Sequence, residues 1–120
     1  MIKPIYLYGA EVLRKTAAPA DLADKEGLAA LVRDLKDTLV KADGCGLAAP
    51  QIGVSRRVVI VDGDVVSDQY PYLKGFRRTL INPEIVWESE EQTTYSEGCL
   101  SIPGIYCDVV RPKQIGVRYF

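Results

Sequence analysis

Two short runs of this chain hold residue types that could do chemistry together. The first is Gly44-Cys45-Gly46-Leu47-Ala48-Ala49-Pro50-Gln51, small and apolar residues closing on a carboxamide. The second is Glu97-Gly98-Cys99-Leu100-Ser101, which sets a carboxylate and a thiol about a glycine. A thiolate can attack a carbon or hold a soft metal, and an amide N–H can steady a developing oxyanion. A nucleophilic cysteine normally needs a cationic neighbour or a base, yet the chain contains no histidine at all. For these 120 residues acting alone, that absence excludes a Ser-His-Asp triad, a zinc finger of paired cysteines and histidines, and a His-Glu-x-x-His metalloprotease helix. Ser101 as a nucleophile lacks a base for the same reason. Cys99 as a metal ligand would need its other ligands from elsewhere.

Each run also has a purely structural reading. Gly44 to Ala49 formally matches the Gly-x-Gly-x-x-Ala dinucleotide fingerprint, but that fingerprint needs a strand before it and a helix after it. Here a helical pattern precedes the glycines and Pro50 closes the segment, so nucleotide binding is rejected. What remains is either a helix cap followed by tight packing, or a strip of small residues along which an extended peptide could pair as an added strand. Gln51 favours the second, because an amide after small apolar residues has no evident local purpose; it could face an oxyanion or satisfy a nearby carbonyl. Glu97 to Ser101 reads as a sharp bend between strands from which a thiol can project. Cys107 alternates with Ile105 and Val109 and reads as core, whereas Cys45 reads as lining the pocket that the glycines form.

The elements that must position these runs follow from periodicity. Leu28, Leu31, Val32, Leu35, Leu39 and Val40 recur at steps of three and four, predicting one amphipathic helix over Lys25 to Ala42. Asp24 can cap its start, and Asp43-Gly44 offers a left-handed residue at its end. Ile2 to Lys15 reads as an irregular arm with one helical turn. Arg57 to Val61 reads as a strand buried on nearly both faces, Val65 to Arg78 as a surface excursion, and Thr79 to Ile81 as a strand bent by Asn82-Pro83. Glu84 to Glu88, Gln92 to Tyr95, Ile105 to Val110 and Ile115 to Phe120 are four further β-rich runs. The class is α+β, with mainly antiparallel short strands in one domain over residues 1–120.

Composition narrows the partners. Fifteen basic residues against sixteen acidic ones leave a net charge of −1, without the positive excess that holds a phosphate backbone. No run approaches the roughly 20 apolar residues of a membrane span, and the start lacks a signal-peptide stretch, so the expected location is the cytoplasm. Three cysteines without a Cys-x-x-Cys pair fit reduced thiols. One helix cannot cover five or six strands, and the last run stops mid-strand. The expectation is that a further helix, or another chain, completes the fold, the alternative being a small complete β-rich domain with a ragged end, and that the uncovered sheet favours self-association.

Taken together and in this order, the two runs resemble peptide deformylase. Its first motif, Gly-apolar-Gly-apolar-Ala-Ala-x-Gln, stands here as Gly44 to Gln51, and its second, Glu-Gly-Cys-apolar-Ser, as Glu97 to Ser101. The similarity extends over nearly the whole chain, through the opening Pro-Ile-Tyr, Val12-Leu13-Arg14 and the Ile81-Asn82-Pro83 bend. The family's third motif, a His-Glu-x-x-His helix carrying two metal ligands and the general base, is absent from these residues. The resemblance implies that Cys99 is the thiolate ligand of a divalent metal, iron(II) with zinc, nickel or cobalt as substitutes. It implies that Gln51 and the N–H of Leu100 bind the oxyanion and that Gly46 offers its backbone to the substrate. Cys45, Tyr95 and Glu97 would sit near a methionine side-chain pocket, with Gly44 among the substrate-binding residues. The implied substrate is an N-formylmethionyl peptide of a nascent chain, and the 120 residues alone are expected to be inactive. The alternative is a degenerate peptide-binding module without catalysis.

Overall fold

In the computed structural model, which describes all 120 residues from Met1 to Phe120, Leu28, Leu31, Val32, Leu35 and Leu39 form the inward face of a single α-helix, whereas Val40, expected on that face, is exposed one position round from Leu39. This helix, α1, runs Lys25–Ala42. The Asp24 carboxylate accepts the Gly27 N–H at 3.0 Å, and Asp43 ends the helix in the left-handed conformation at φ 56°. Leu35 and Leu39 on its inner face are buried against β1 (Gly46–Ala48) and β2 (Val58–Asp62). Leu47, Ala49, Ile52, Val58 and Ile60 complete the centre of this core.

β1, β2 and β3 (Arg77–Ile81) form an antiparallel sheet in that order, so β1 is an edge. Val58 and Ile60 are buried while Val59 and Val61 are half-buried, close to the expected two-sided burial. β4 (Glu84–Glu88) pairs with β7 (Ile115–Arg118), and β5 (Gln92–Cys99) pairs with β6 (Ile102–Pro112) as a hairpin. The chain turns from β3 toward β4 at Asn82, held at φ 50°. Its side chain acts on one distant residue twice: Oδ1 accepts the Ala20 N–H at 2.7 Å and Nδ2 donates to the Ala20 carbonyl at 3.2 Å. The Arg57 guanidinium donates to the Pro83 carbonyl just beyond.

Several expectations need correction. The β5–β6 bend is confined to Leu100 and Ser101, because Glu97, Gly98 and Cys99 remain in the ladder as far as the pair Cys99–Ile102. Cys107 is not core: it lies opposite Glu97 in the hairpin and is exposed. Alternation assigned it a face correctly, but burial requires a second layer over that face. Arg77 and Arg78 belong to β3 rather than to the preceding excursion, and the last strand stops at Arg118, after which the Phe120 N–H donates to the Ile81 carbonyl. The helical turn of the arm is a 3-10 turn, Glu11–Leu13.

Candidate active site

The site begins at the free edge of β1. Cys45 accepts the Asp62 N–H at 2.8 Å, so its backbone faces β2, whereas the Ala48 N–H turns away and donates to Gln51 Oε1 at 2.9 Å. Antiparallel strands alternate between bonded and non-bonded residues, so Gly46 also directs its N–H and C=O to the open edge. A Cβ on Gly46 would be 3.5 Å from the Ile60 carbonyl, an ordinary contact. Gly44 is different: a Cβ there would lie 2.8 Å from Leu100 and 3.1 Å from Leu39. The missing side chain at Gly44 lets Leu100, from the second motif, pack against the core.

Gln51 lies in a 3-10 turn, Ala49–Ile52, that follows β1 directly and ends at Gly53 with φ 89°. Its amide therefore has a local purpose that the sequence reading missed, since Oε1 satisfies the N–H of Ala48 at the start of the turn. That bond also fixes which end of the carboxamide faces the second motif. Nε2 donates to Ser101 Oγ at 3.1 Å and stands 3.7 Å from Cys99 Sγ. Cys99 is exposed at the last position of β5, while Ser101 is buried in the turn. Between them, the Leu100 N–H lies outside both strands and donates to no backbone acceptor.

The flanks of the hairpin carry the remaining predicted residues. Arg111 grips Glu97 through two bonds, Nε to Oε2 at 2.6 Å and a terminal nitrogen to Oε1 at 2.7 Å. The guanidinium's hydrogen bonds hold the Glu97 carboxyl below its usual pKa. The Tyr95 ring lies 6.4 Å from that of Tyr70, and its hydroxyl raises the Tyr70 pKa. Tyr106 lies over Gly98, where a Cβ would come within 2.6 Å of its ring. Thus Gln51, Cys99 and Leu100 converge with Gly44 beneath them. Gly46 and Cys45 belong to the adjoining edge, and Glu97 and Tyr95 to the hairpin leading to the thiol.

Sequence reasoning passed over two contributors. By residue type Ser101 reads as a nucleophile without a base, and its placement three positions before a glycine gives no sign that it receives the Gln51 amide. The N-terminal arm carries part of the family resemblance in Pro4-Ile5-Tyr6 but no sign of a role at the site, where the Tyr6 N–H donates to the Gln51 carbonyl at 2.7 Å and the Tyr8 N–H to the Ser101 carbonyl at 2.8 Å.

A catalytic metal normally takes three protein ligands. No three histidine, cysteine, aspartate or glutamate side chains converge in this chain, and Cys99 is the one such donor touching Gln51. The donors present therefore do not by themselves fit a catalytic metal.

The family model for polypeptide deformylase matches residues 2–120. This chain belongs to the polypeptide deformylase family. It is 44% identical over 119 residues to a peptide deformylase from Pseudothermotoga lettingae, covering 99% of this chain and 63% of that protein. The chain thus spans about six-tenths of the length of the curated relatives it matches. Among solved deformylases, the structure from Thermotoga maritima superimposes with a TM-score of 0.86 at 35% identity, covering 99% of this chain and 74% of that one. The Met-Ala-Ser-bound class I type b enzyme from Acinetobacter baumannii superimposes with a TM-score of 0.86 at 29% identity, over 99% and 76% respectively. The deformylase-like α+β fold follows from these likenesses.

Proposed function

We propose that these 120 residues form the substrate-edge and thiolate half of a deformylase site acting on N-formylmethionyl peptides of nascent chains, with formate and a free amino terminus as products. The observation that carries this reading is the carboxamide of Gln51, its oxygen engaged by Ala48 and its nitrogen facing Cys99. Cys99 would be the thiolate ligand of the metal, iron(II) in the cell, with zinc, nickel or cobalt as substitutes. Held there with further ligands from polypeptide beyond these donors, such a metal would supply Lewis-acid activation of water. Gln51 and the Leu100 N–H would donate to the oxyanion formed at the formyl carbon, each such donor typically contributing about 3 kcal/mol in the transition state. Gly46 would pair with the peptide backbone as an added strand along the β1 edge, with Gly44 and Cys45 leading into it. Tyr95 and Glu97 would flank the pocket for the methionine side chain. We read residues 1–120 as one unit with a cytoplasmic site of action. No helix is long and apolar enough to cross a membrane.

With a single thiolate and no histidine, the 120 residues alone are inactive on this reading. The test is formate release from formyl-Met-Ala in the presence of iron(II) or nickel. The expected result is no turnover by the 120-residue chain and turnover by a polypeptide that also contains a His-Glu-x-x-His helix. Turnover by the 120 residues would overturn their inactivity, and silence of the longer polypeptide would overturn the deformylase reading.

A further inference from the structure

The two halves of the site stand on different sheets: Gln51 follows the edge strand β1, and Cys99 ends the separate β5–β6 hairpin. No strand pairing joins these sheets; across the gap the Gln51 side chain donates to Ser101 Oγ at 3.1 Å, a bond that depends on where the hairpin tip is held. One backbone hydrogen bond ties the hairpin tip to the rest of the chain, that from the Tyr8 N–H to the Ser101 carbonyl at 2.8 Å. Two residues earlier, the Tyr6 N–H holds the Gln51 carbonyl at 2.7 Å. Tyr6 and Tyr8, the latter at the start of a turn, thus reach both motifs from one stretch of arm. The Tyr6 ring is seated on Gly53, where a Cβ would lie 2.8 Å from it, which fixes the arm lengthwise on the 3-10 turn.

We propose that the arm from Tyr6 to Tyr8 is a splint, with the Tyr8 N–H as its positioning group, that sets the distance between the Gln51 carboxamide and the Cys99 thiol. This rests on the reading of those two groups as the site. Leu100 packing on Gly44 resists compression of the hairpin tip onto the core, but apolar contact lacks direction. The backbone hydrogen bonds of the arm supply the direction and seat Ser101 where its hydroxyl receives the Gln51 amide.

The experiment is a proton nuclear Overhauser measurement on the isotopically labelled 120-residue chain. It needs neither metal nor activity. In the unsubstituted chain the Gln51 side-chain N–H protons should show cross-peaks to the Cys99 β-protons and to the Ala48 amide. Tyr8→Pro removes the donor and should abolish the Cys99 cross-peak while keeping that to Ala48, which lies within the first motif. Tyr8→Phe keeps the N–H and should preserve both. A Cys99 cross-peak that survives in a folded Tyr8→Pro chain overturns the splint and leaves the site reading standing. Its absence from the unsubstituted chain overturns both. Should Tyr8→Pro fail to fold, hydrogen exchange on the unsubstituted chain decides: Tyr8 amide exchange slowed together with the hairpin amides supports the splint, and exchange at the free-peptide rate overturns it.

Discussion

At the residue scale, the site depends on small differences in what each side chain is allowed to touch. Gly44 is hemmed by Leu100 and Leu39, so Gly44→Ala should overpack the junction between the motifs at a cost of about 1–3 kcal/mol, read as a lowered denaturation midpoint. The same substitution should lengthen the Gln51–Cys99 approach, since Leu100 must move and its neighbour moves with it. Glu97 and Arg111 set a pH dependence of definite sign. A carboxyl whose folded pKa is lowered contributes stability above its unfolded pKa, near 4.3, and loses it as pH falls through the folded value. Arg111→Met should therefore be less stable than the parent at neutral pH, with the difference closing in acid. Chemical denaturation of both chains at several pH values checks this, and a gap that persists at the acid end would refute it.

At the element scale, α1 was legible because three signals agreed on it: apolar steps of three and four, Asp24 before it and Asp43 after it. Asp24→Ala should cost about 1 kcal/mol through the lost bond to Gly27, measured by thermal or urea unfolding. The strands were legible one at a time, as with Glu84–Glu88, whose bounds match the β-rich run. Their partners were not. Nothing local to β4 indicates that it pairs with β7 across the intervening hairpin, because pairing is decided by contacts distant in sequence. The same limit explains Cys107, where period-two alternation names the side of the hairpin but not whether anything lies over it. In the site, the residue types of both motifs were readable, while the double engagement of Gln51 and the reach of the arm arise only when separate elements meet.

At the scale of the whole molecule, the core is thin: 11 of 120 residues are buried. Ile85, Trp87, Ile105, Val110 and Ile115 remain exposed on the two two-stranded sheets. Apolar surface of this kind drives association, so the isolated 120-residue chain should elute progressively earlier in sizing chromatography as its concentration rises. Constant monomeric elution would count against that. What does unite distant parts is covalently durable at one point. Asn82 joins the end of β3 to Ala20 through both ends of its amide, so converting it to aspartate would replace a donor with a second acceptor facing a carbonyl. Asparagines usually undergo that conversion when the next backbone nitrogen attacks the side chain and expels ammonia. Here the next residue is Pro83, whose ring nitrogen carries no hydrogen, and the tie is shielded from the commonest route of chemical ageing.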